Sequence, residues 1–109
     1  MSKTLGTFSY ALFVELRVTG EVFFWRGPSP FHFVAVDEVT SDVIHQIAAS
    51  VTYGWGMIPC ECVIGSTTYE TALWPKNGGY IIPLKKAVRD SESIAVGDEI
   101  TVVLRIGDY

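Results

Sequence analysis

Charge is sparse in this chain. Charged residues make up 18% of its 109 residues, which excludes a disordered, highly solvated segment, since those combine much charge with little apolar content. Cysteine is nearly absent. Cys60 and Cys62 stand two apart, a spacing on a strand that is poorly placed to bridge, so no disulfide framework exists and the thiols read as reduced. Histidine is equally rare. His32 and His45 have no spacing that would complete a zinc site with the C-x-C pair, so no metal and no cofactor is implied. No uninterrupted apolar run approaches the ~20 residues of a helical span. The stretch from Phe8 to Arg17 is broken by Ser9, Glu15 and Arg17, which is strand alternation and not the core of a secretory leader. The expectation is therefore a cytoplasmic protein with no membrane segment. The sequence also lacks a nucleophile elbow, a glycine-rich phosphate loop with its lysine and an H-E-x-x-H pair. No catalytic residue can be named, and the chain reads as a non-enzyme.

Apolar residues are abundant instead, at 49%, with 13% aromatic. A chain of this length and composition buries one core without metal or disulfides, so residues 1–109 read as a single domain. The net charge is −4, but its distribution is uneven: from Thr71 to Arg89 the charge is +4, and over the remainder it is −8. An acidic body repels polyanions, so nucleic acid is disfavoured as a partner. A local cationic patch on that body suits a small anion or an acidic protein surface.

Alternation marks the strands. Phe8, Tyr10, Leu12, Val14, Leu16 and Val18 occupy even positions of a long half-buried strand, Thr19-Gly20 reads as a turn, and Glu21 to Trp25 as the return of a hairpin. Arg26 to Pro30 is a loop. Phe31 to Val36 is apolar on both faces, as in a covered strand. A helix follows over about Thr40 to Ser50, capped by Thr40 or Ser41, with Val39, Val43, Ile47 and Val51 as its stripe and Ile44 and Ala48 widening it. Ile58 to Ile64 and Thr67 to Leu73 form a hairpin about Gly65-Ser66. Pro75 breaks that strand, Lys76-Asn77-Gly78-Gly79 is a turn requiring positive φ, and Tyr80 to Ile82 is a short strand. Leu84 to Arg89 reads as a brief helix and Glu99 to Ile106 as the last strand. About seven strands, one amphipathic helix and a short helical cap make a mainly β chain and a small barrel.

In order and spacing, the sequence resembles the domain of unknown function 1905 family. The resemblance is carried by the aromatic strand at Trp25, Phe31-His32-Phe33-Val34, Gly54-Trp55-Gly56, and Tyr69-Glu70-Thr71 through Trp74-Pro75. It continues through Gly78-Gly79-Tyr80, the Pro83 to Arg89 run and Val96-Gly97-Asp98. It covers roughly Phe8 to Ile106 and departs from the pattern around Arg26 to Pro30 and at Tyr53. It implies a double-split β-barrel, a pseudobarrel capped by short helices and related in fold to swapped-hairpin transcription regulators and antitoxins. It implies no reaction, substrate or catalytic residue.

Lys85 and Arg89 are four apart and share a helix face, whereas Lys86 and Asp90 can pair with each other. Lys85 and Arg89, with Lys76 and the amides of Gly78 and Gly79, form the candidate anion site, and Trp74 and Trp55 are its candidate walls. The plainer reading is an ion pair of Lys85 or Arg89 with Glu70, Glu99 or another carboxylate. Likewise Trp25, Phe31, Tyr69 and Tyr80 read first as packing, and Cys60 and Cys62 as buried small thiols. Glu70 beside the basic patch is the one carboxylate placed for acid–base work, and as an ion-pair partner it needs no such role. The functional expectation is a binding module for a small anionic ligand or acidic peptide in a cationic, aromatic-edged cleft. The alternative is a structural or regulatory module acting as a homodimer, with the Phe8–Trp25 hairpin available for exchange. A transcription-regulator role is a further branch, opposed by the acidic body.

Overall fold

The computed structural model describes residues 13–26, 30–51 and 56–107. Within them the chain runs β1 (Phe13–Arg26), β2 (Pro30–Ala35), α1 (Glu38–Val51), β3 (Ile58–Ile64), β4 (Thr67–Lys76), β5 (Gly79–Leu84), α2 (Lys86–Glu92) and β6 (Glu99–Gly107). The six strands close into an antiparallel barrel in the order β1-β2-β5-β4-β3-β6. The small β-barrel expected from alternation is therefore the fold. No described helix is long and apolar enough to cross a membrane.

Two long strands each serve two partners. Phe13 to Glu21 of β1 pair with β6, and Val22 to Arg26 pair with β2. Thr67 to Leu73 of β4 pair with β3, and Trp74 to Lys76 pair with β5. The barrel thus opens at two places where a strand leaves one neighbour for the other. At the first, the backbone of Val22 exchanges hydrogen bonds with Asp98 and Gly97, each 2.8 Å. The expected turn at Thr19-Gly20 is absent, and β1 is continuous through it. Gly20 is needed for proximity and not for turning: a Cβ there would lie 2.9 Å from the Ala35 carbonyl oxygen and 2.9 Å from Val34 Cγ2. The part of the first hairpin before Phe13 lies outside the described residues.

Proline placement also differs from expectation. β4 continues through Pro75, which faces Tyr80, while Lys76 and Gly79 flank the turn. That puts Pro75 in a pair whose N–H is not used toward β5. Asn77 and Gly78 between them have φ 52° and 79°, the two left-handed residues of a type I′ hairpin. Pro83 belongs to β5 and faces Phe33. The pairs on either side, His32 with Leu84 and Val34 with Ile82, leave the Pro83 nitrogen turned toward β4, where no ladder exists and no donor is required.

The core is the barrel interior. Val18, Val22, Val34, Ile58, Cys60, Cys62, Leu73, Ile82, Leu104 and Ile106 are buried there, as alternation demanded. α1 closes one end. Asp37 caps it, its carboxylate accepting from the Thr40 backbone N–H at 3.0 Å and the Thr40 hydroxyl at 2.9 Å, so the helix starts before the expected Thr40 or Ser41 cap. The buried face is Ser41 and Ile44 with Ile47 and Ala48 behind, whereas Val39 is 74% exposed and Val43 36%. The valine stripe is displaced because the helix seats on a small side chain near its start: Ser41 Oγ sits 3.3 Å from where a Gly79 Cβ would be. α2 covers the other end through Val88.

A second cluster lies on the opposite face of β2 from Val34. Phe33 is fully buried there although it is outside the barrel interior. Phe23, Trp25, Phe31 and Trp74 surround it, with ring centroids 5.2–6.0 Å away.

Candidate functional site

Where β4 parts from β5, backbone carbonyls lose their ladder partners, and unpaired polar groups are costly unless a side chain or water takes their place. Two side chains do so, and a third adds to a carbonyl at the strand end, on the β2 side. The Tyr69 hydroxyl donates to the Pro83 carbonyl at 2.9 Å, Lys85 Nζ to the Glu70 carbonyl at 2.7 Å, and Arg89 Nε to the Leu84 carbonyl at 3.1 Å. Lys85 is the N-cap residue of α2, in extended conformation. This lets its side chain reach back across the gap, while Arg89 on the helix reaches the strand end it follows. The expected ion pairs of Lys85 or Arg89 with Glu70 or Glu99 are not formed among the described residues: the partners are carbonyl oxygens. Lys86 and Asp90 pair at 2.7 Å, as their spacing predicted, and this holds the Asp90 carboxyl below its ordinary range.

The gap opens as a cleft of about 450 Å³ lined by Phe31, Thr71, Trp74, Pro83, Leu84, Lys85, Lys86 and Arg89. The Phe31 and Trp74 rings meet at 5.6 Å and 81° along one wall. With Nε engaged, the two terminal nitrogens of Arg89 have no acceptor among the described residues.

Lys85, Arg89 and Trp74 thus come together as expected. Lys76, Gly78 and Gly79 do not join them. They line a separate hollow of about 500 Å³ beside Ser41, Glu38 and Asp42, where two carboxylates oppose the binding of an anion. Lys76 is further occupied by the Trp25 ring, its Nζ 4.4 Å from the centroid. Trp55 lies outside the described residues.

Glu70 is exposed and faces Glu61 across β3 and β4. Its backbone oxygen, not its carboxylate, takes part in the cleft. The Cys60 and Cys62 sulfurs are 3.8 Å apart inside the barrel and free. Contact with Cys62, then burial, pushes the Cys60 thiol far above its ordinary range. Burial, with Cys62 second, does the same to the Tyr69 phenol, so Tyr69 remains a donor. Partial burial, then the charge of Arg89, lowers the pKa of His32 at the same barrel end. Among the described residues no three His, Cys, Asp or Glu side chains gather to hold a metal.

A family model described as a domain of unknown function (DUF1905) matches residues 19–104. The chain belongs to that family. No curated protein and no solved structure matches it. The matched span of this DUF1905 domain holds both strand splits, the cleft and the Lys76–Gly79 turn. The cleft residues of the DUF1905 chain that the sequence reading did not place in the site are Phe31, read first as packing, Lys86, read as the Asp90 partner, and Thr71, Pro83 and Leu84. Pro83 carried a usable signal, since a proline following Tyr80-Ile81-Ile82 can mark a strand with one side unpaired. Thr71 carried none.

Proposed function

We propose that the chain is a non-enzymatic binding module that takes a small anionic ligand or an acidic peptide in the cleft between β4, β5 and α2. The observation that carries this reading is the Arg89 guanidinium, pinned through Nε to the Leu84 carbonyl beside the Phe31–Trp74 wall. Its remaining donors find no acceptor among the described residues. The +4 stretch from Thr71 to Arg89 on an otherwise acidic chain favours approach of a negative group to this side. Lys85 and Lys86 set the local potential while their ammonium groups hold protein oxygens.

A thermal-shift screen of carboxylates, nucleotides, phosphates and acidic peptides tests the reading. A true ligand at a hundredfold over its dissociation constant stabilises by about 2.7 kcal/mol, and Arg89→Gln removes that shift. A flat screen, or shifts equal in wild type and variant, overturns it.

Homo-oligomerisation is the second reading, supported by exposed aromatic surface on the outer face. Phe31 is 41% exposed on that face beside half-buried Trp25, while Phe24, 42% exposed, lies on the opposite face of β1 against His32; exposed apolar patches mark contact surfaces. Light scattering at micromolar concentration decides it, and a monomer there disposes of it.

A further inference from the structure

Resting on the binding-module reading, we infer that the cleft recognises one carboxylate carried on a flat or branched apolar body. The donor inventory sets the charge. Lys85 Nζ is committed to the Glu70 carbonyl at 2.7 Å, Lys86 Nζ to Asp90 at 2.7 Å, and Arg89 Nε to the Leu84 carbonyl at 3.1 Å. Only Lys86 is neutralised, by Asp90; Lys85, held by an uncharged carbonyl, keeps its charge and further N–H donors beside Arg89, so the cleft is cationic and its ligand an anion. The planar fork left open is the pair of terminal nitrogens of Arg89.

Geometry sets the group. With Nε taken, the free edge of the guanidinium is its end-on pair of N–H donors, a planar fork matching the two oxygens of a planar carboxylate in parallel hydrogen bonds. The bond to Leu84 fixes the plane of that fork before any ligand arrives, which lowers the ordering cost of binding. The walls set the remainder of the ligand. Phe31, Trp74, Pro83 and Leu84 are apolar. At about 450 Å³ the cleft falls in the usual size range of small-molecule sites. An aryl or branched-chain acid fills it, and so does the C-terminal carboxylate of a peptide ending in an apolar residue. The chemistry is shared and the sources differ.

Isothermal titration of the full chain separates the outcomes. The probes are 3-phenylpropionate, its uncharged amide, phenyl phosphate, and N-acetyl-Ala-Phe with a free or amidated C-terminus. Wild type binds 3-phenylpropionate and loses the amide by about tenfold or more, the value of one good charge-assisted hydrogen bond. Arg89→Lys keeps the charge but not the fork and weakens carboxylate binding by about tenfold, while Phe31→Ala, at an exposed position, weakens it with the fold unchanged. N-acetyl-Ala-Phe binding more tightly than phenylpropionate assigns a peptide terminus as the source, and the reverse order assigns a free acid. If phenyl phosphate binds in an Arg89-dependent way and the carboxylates do not, the carboxylate inference fails and the anion-binding reading stands. If the amide binds as well as the acid, the inference also fails. Absence of any Arg89-dependent binding overturns both.

Discussion

The Tyr69 hydroxyl donates to the Pro83 carbonyl at 2.9 Å across the gap between β4 and β5. A side chain here does what a ladder hydrogen bond does elsewhere in the barrel. Proline at position 83 can accept from β4 but has no N–H to donate to it, so the ladder is weakened beyond Trp74 and Ile81, where the pairing ends. The phenol then spans the opening from the inside, beside Cys62. The split, and with it the cleft, follows from one residue that cannot donate and another long enough to donate in its place.

Tyr69→Phe keeps the ring and removes the donor. The Pro83 carbonyl is then left part-buried without its partner, and the expected loss is about 1–2 kcal/mol with the barrel retained. Urea unfolding checks this through a lower midpoint at unchanged slope. An unchanged midpoint means that water replaces the phenol without loss.

Gly20→Ala has a different cause and a larger expected effect. The new Cβ would meet the Ala35 carbonyl oxygen and Val34 Cγ2, both at 2.9 Å. Neither is the free end of a flexible chain, so β1 and β2 must shift apart where β1 changes partners. The expected cost is about 1–3 kcal/mol, in the range of overpacking in a well-packed core, read from the same denaturation curves. A substitution that costs nothing would show that the two strands separate freely at the first split.

Those two positions also show how far the sequence could be read. Period-two alternation put Cys60, Cys62, Leu104 and Ile106 inside, because side-chain direction in a strand is a local property. The Gly65-Ser66 and Asn77-Gly78 turns were equally local. Partner choice is not. Thr19-Gly20 looks like a turn from its neighbours, and only the approach of Val34 and Ala35, distant in sequence, explains the glycine. α1 failed in the same way: four valine and isoleucine positions outvoted Ser41, whose small size matters only because Gly79 lies opposite. In the cleft, the spacing of Lys85 and Arg89 was legible. Their acceptors were not, since the Glu70 carbonyl becomes available only when β4 leaves β5, and the Leu84 carbonyl lies at the strand end on which α2 folds back. The Lys76 turn was drawn into the same site by its proximity in sequence to Lys85, and the hairpin carries it to the other end of β5.

Asp37→Ala tests the α1 cap. The Thr40 backbone N–H, chiefly, holds the Asp37 carboxyl below its ordinary value. A carboxylate with a lower pKa in the folded than in the unfolded chain stabilises at pH above the unfolded value, about 3.9, and loses that contribution as pH falls through the folded one. The variant is expected to lose about 1 kcal/mol at pH 7. The gap to wild type narrows in acid as pH falls through the folded pKa, and Asp37→Asn, which caps without charge, keeps part of the stability at pH 7 and lacks this pH dependence. Paired urea curves at pH 7 and in acid check it, and a gap that persists undiminished in acid would mean that the charge is not what caps the helix.

His32 adds a second loss of stability toward acid, beginning at higher pH. Partial burial, and then the neighbouring Arg89 charge, lower its pKa from the ordinary 6.5. The unfolded chain therefore takes up the proton first as pH falls, and stability declines below about 6.5 and is full above it. His32→Gln, which cannot titrate, flattens melting temperature between pH 7 and 5 relative to wild type. Arg89→Lys keeps the positive charge, so the slope survives. Arg89→Gln removes the secondary cause and leaves desolvation, so the slope shrinks without vanishing. A proton NMR titration of the His32 ring gives the sign directly: a midpoint above the ordinary histidine value contradicts the argument, whatever the melting curves show. A carboxylate seated on Arg89 cancels the charge that His32 faces, so saturating 3-phenylpropionate moves the same midpoint upward. A bound ligand that leaves it unmoved sits elsewhere.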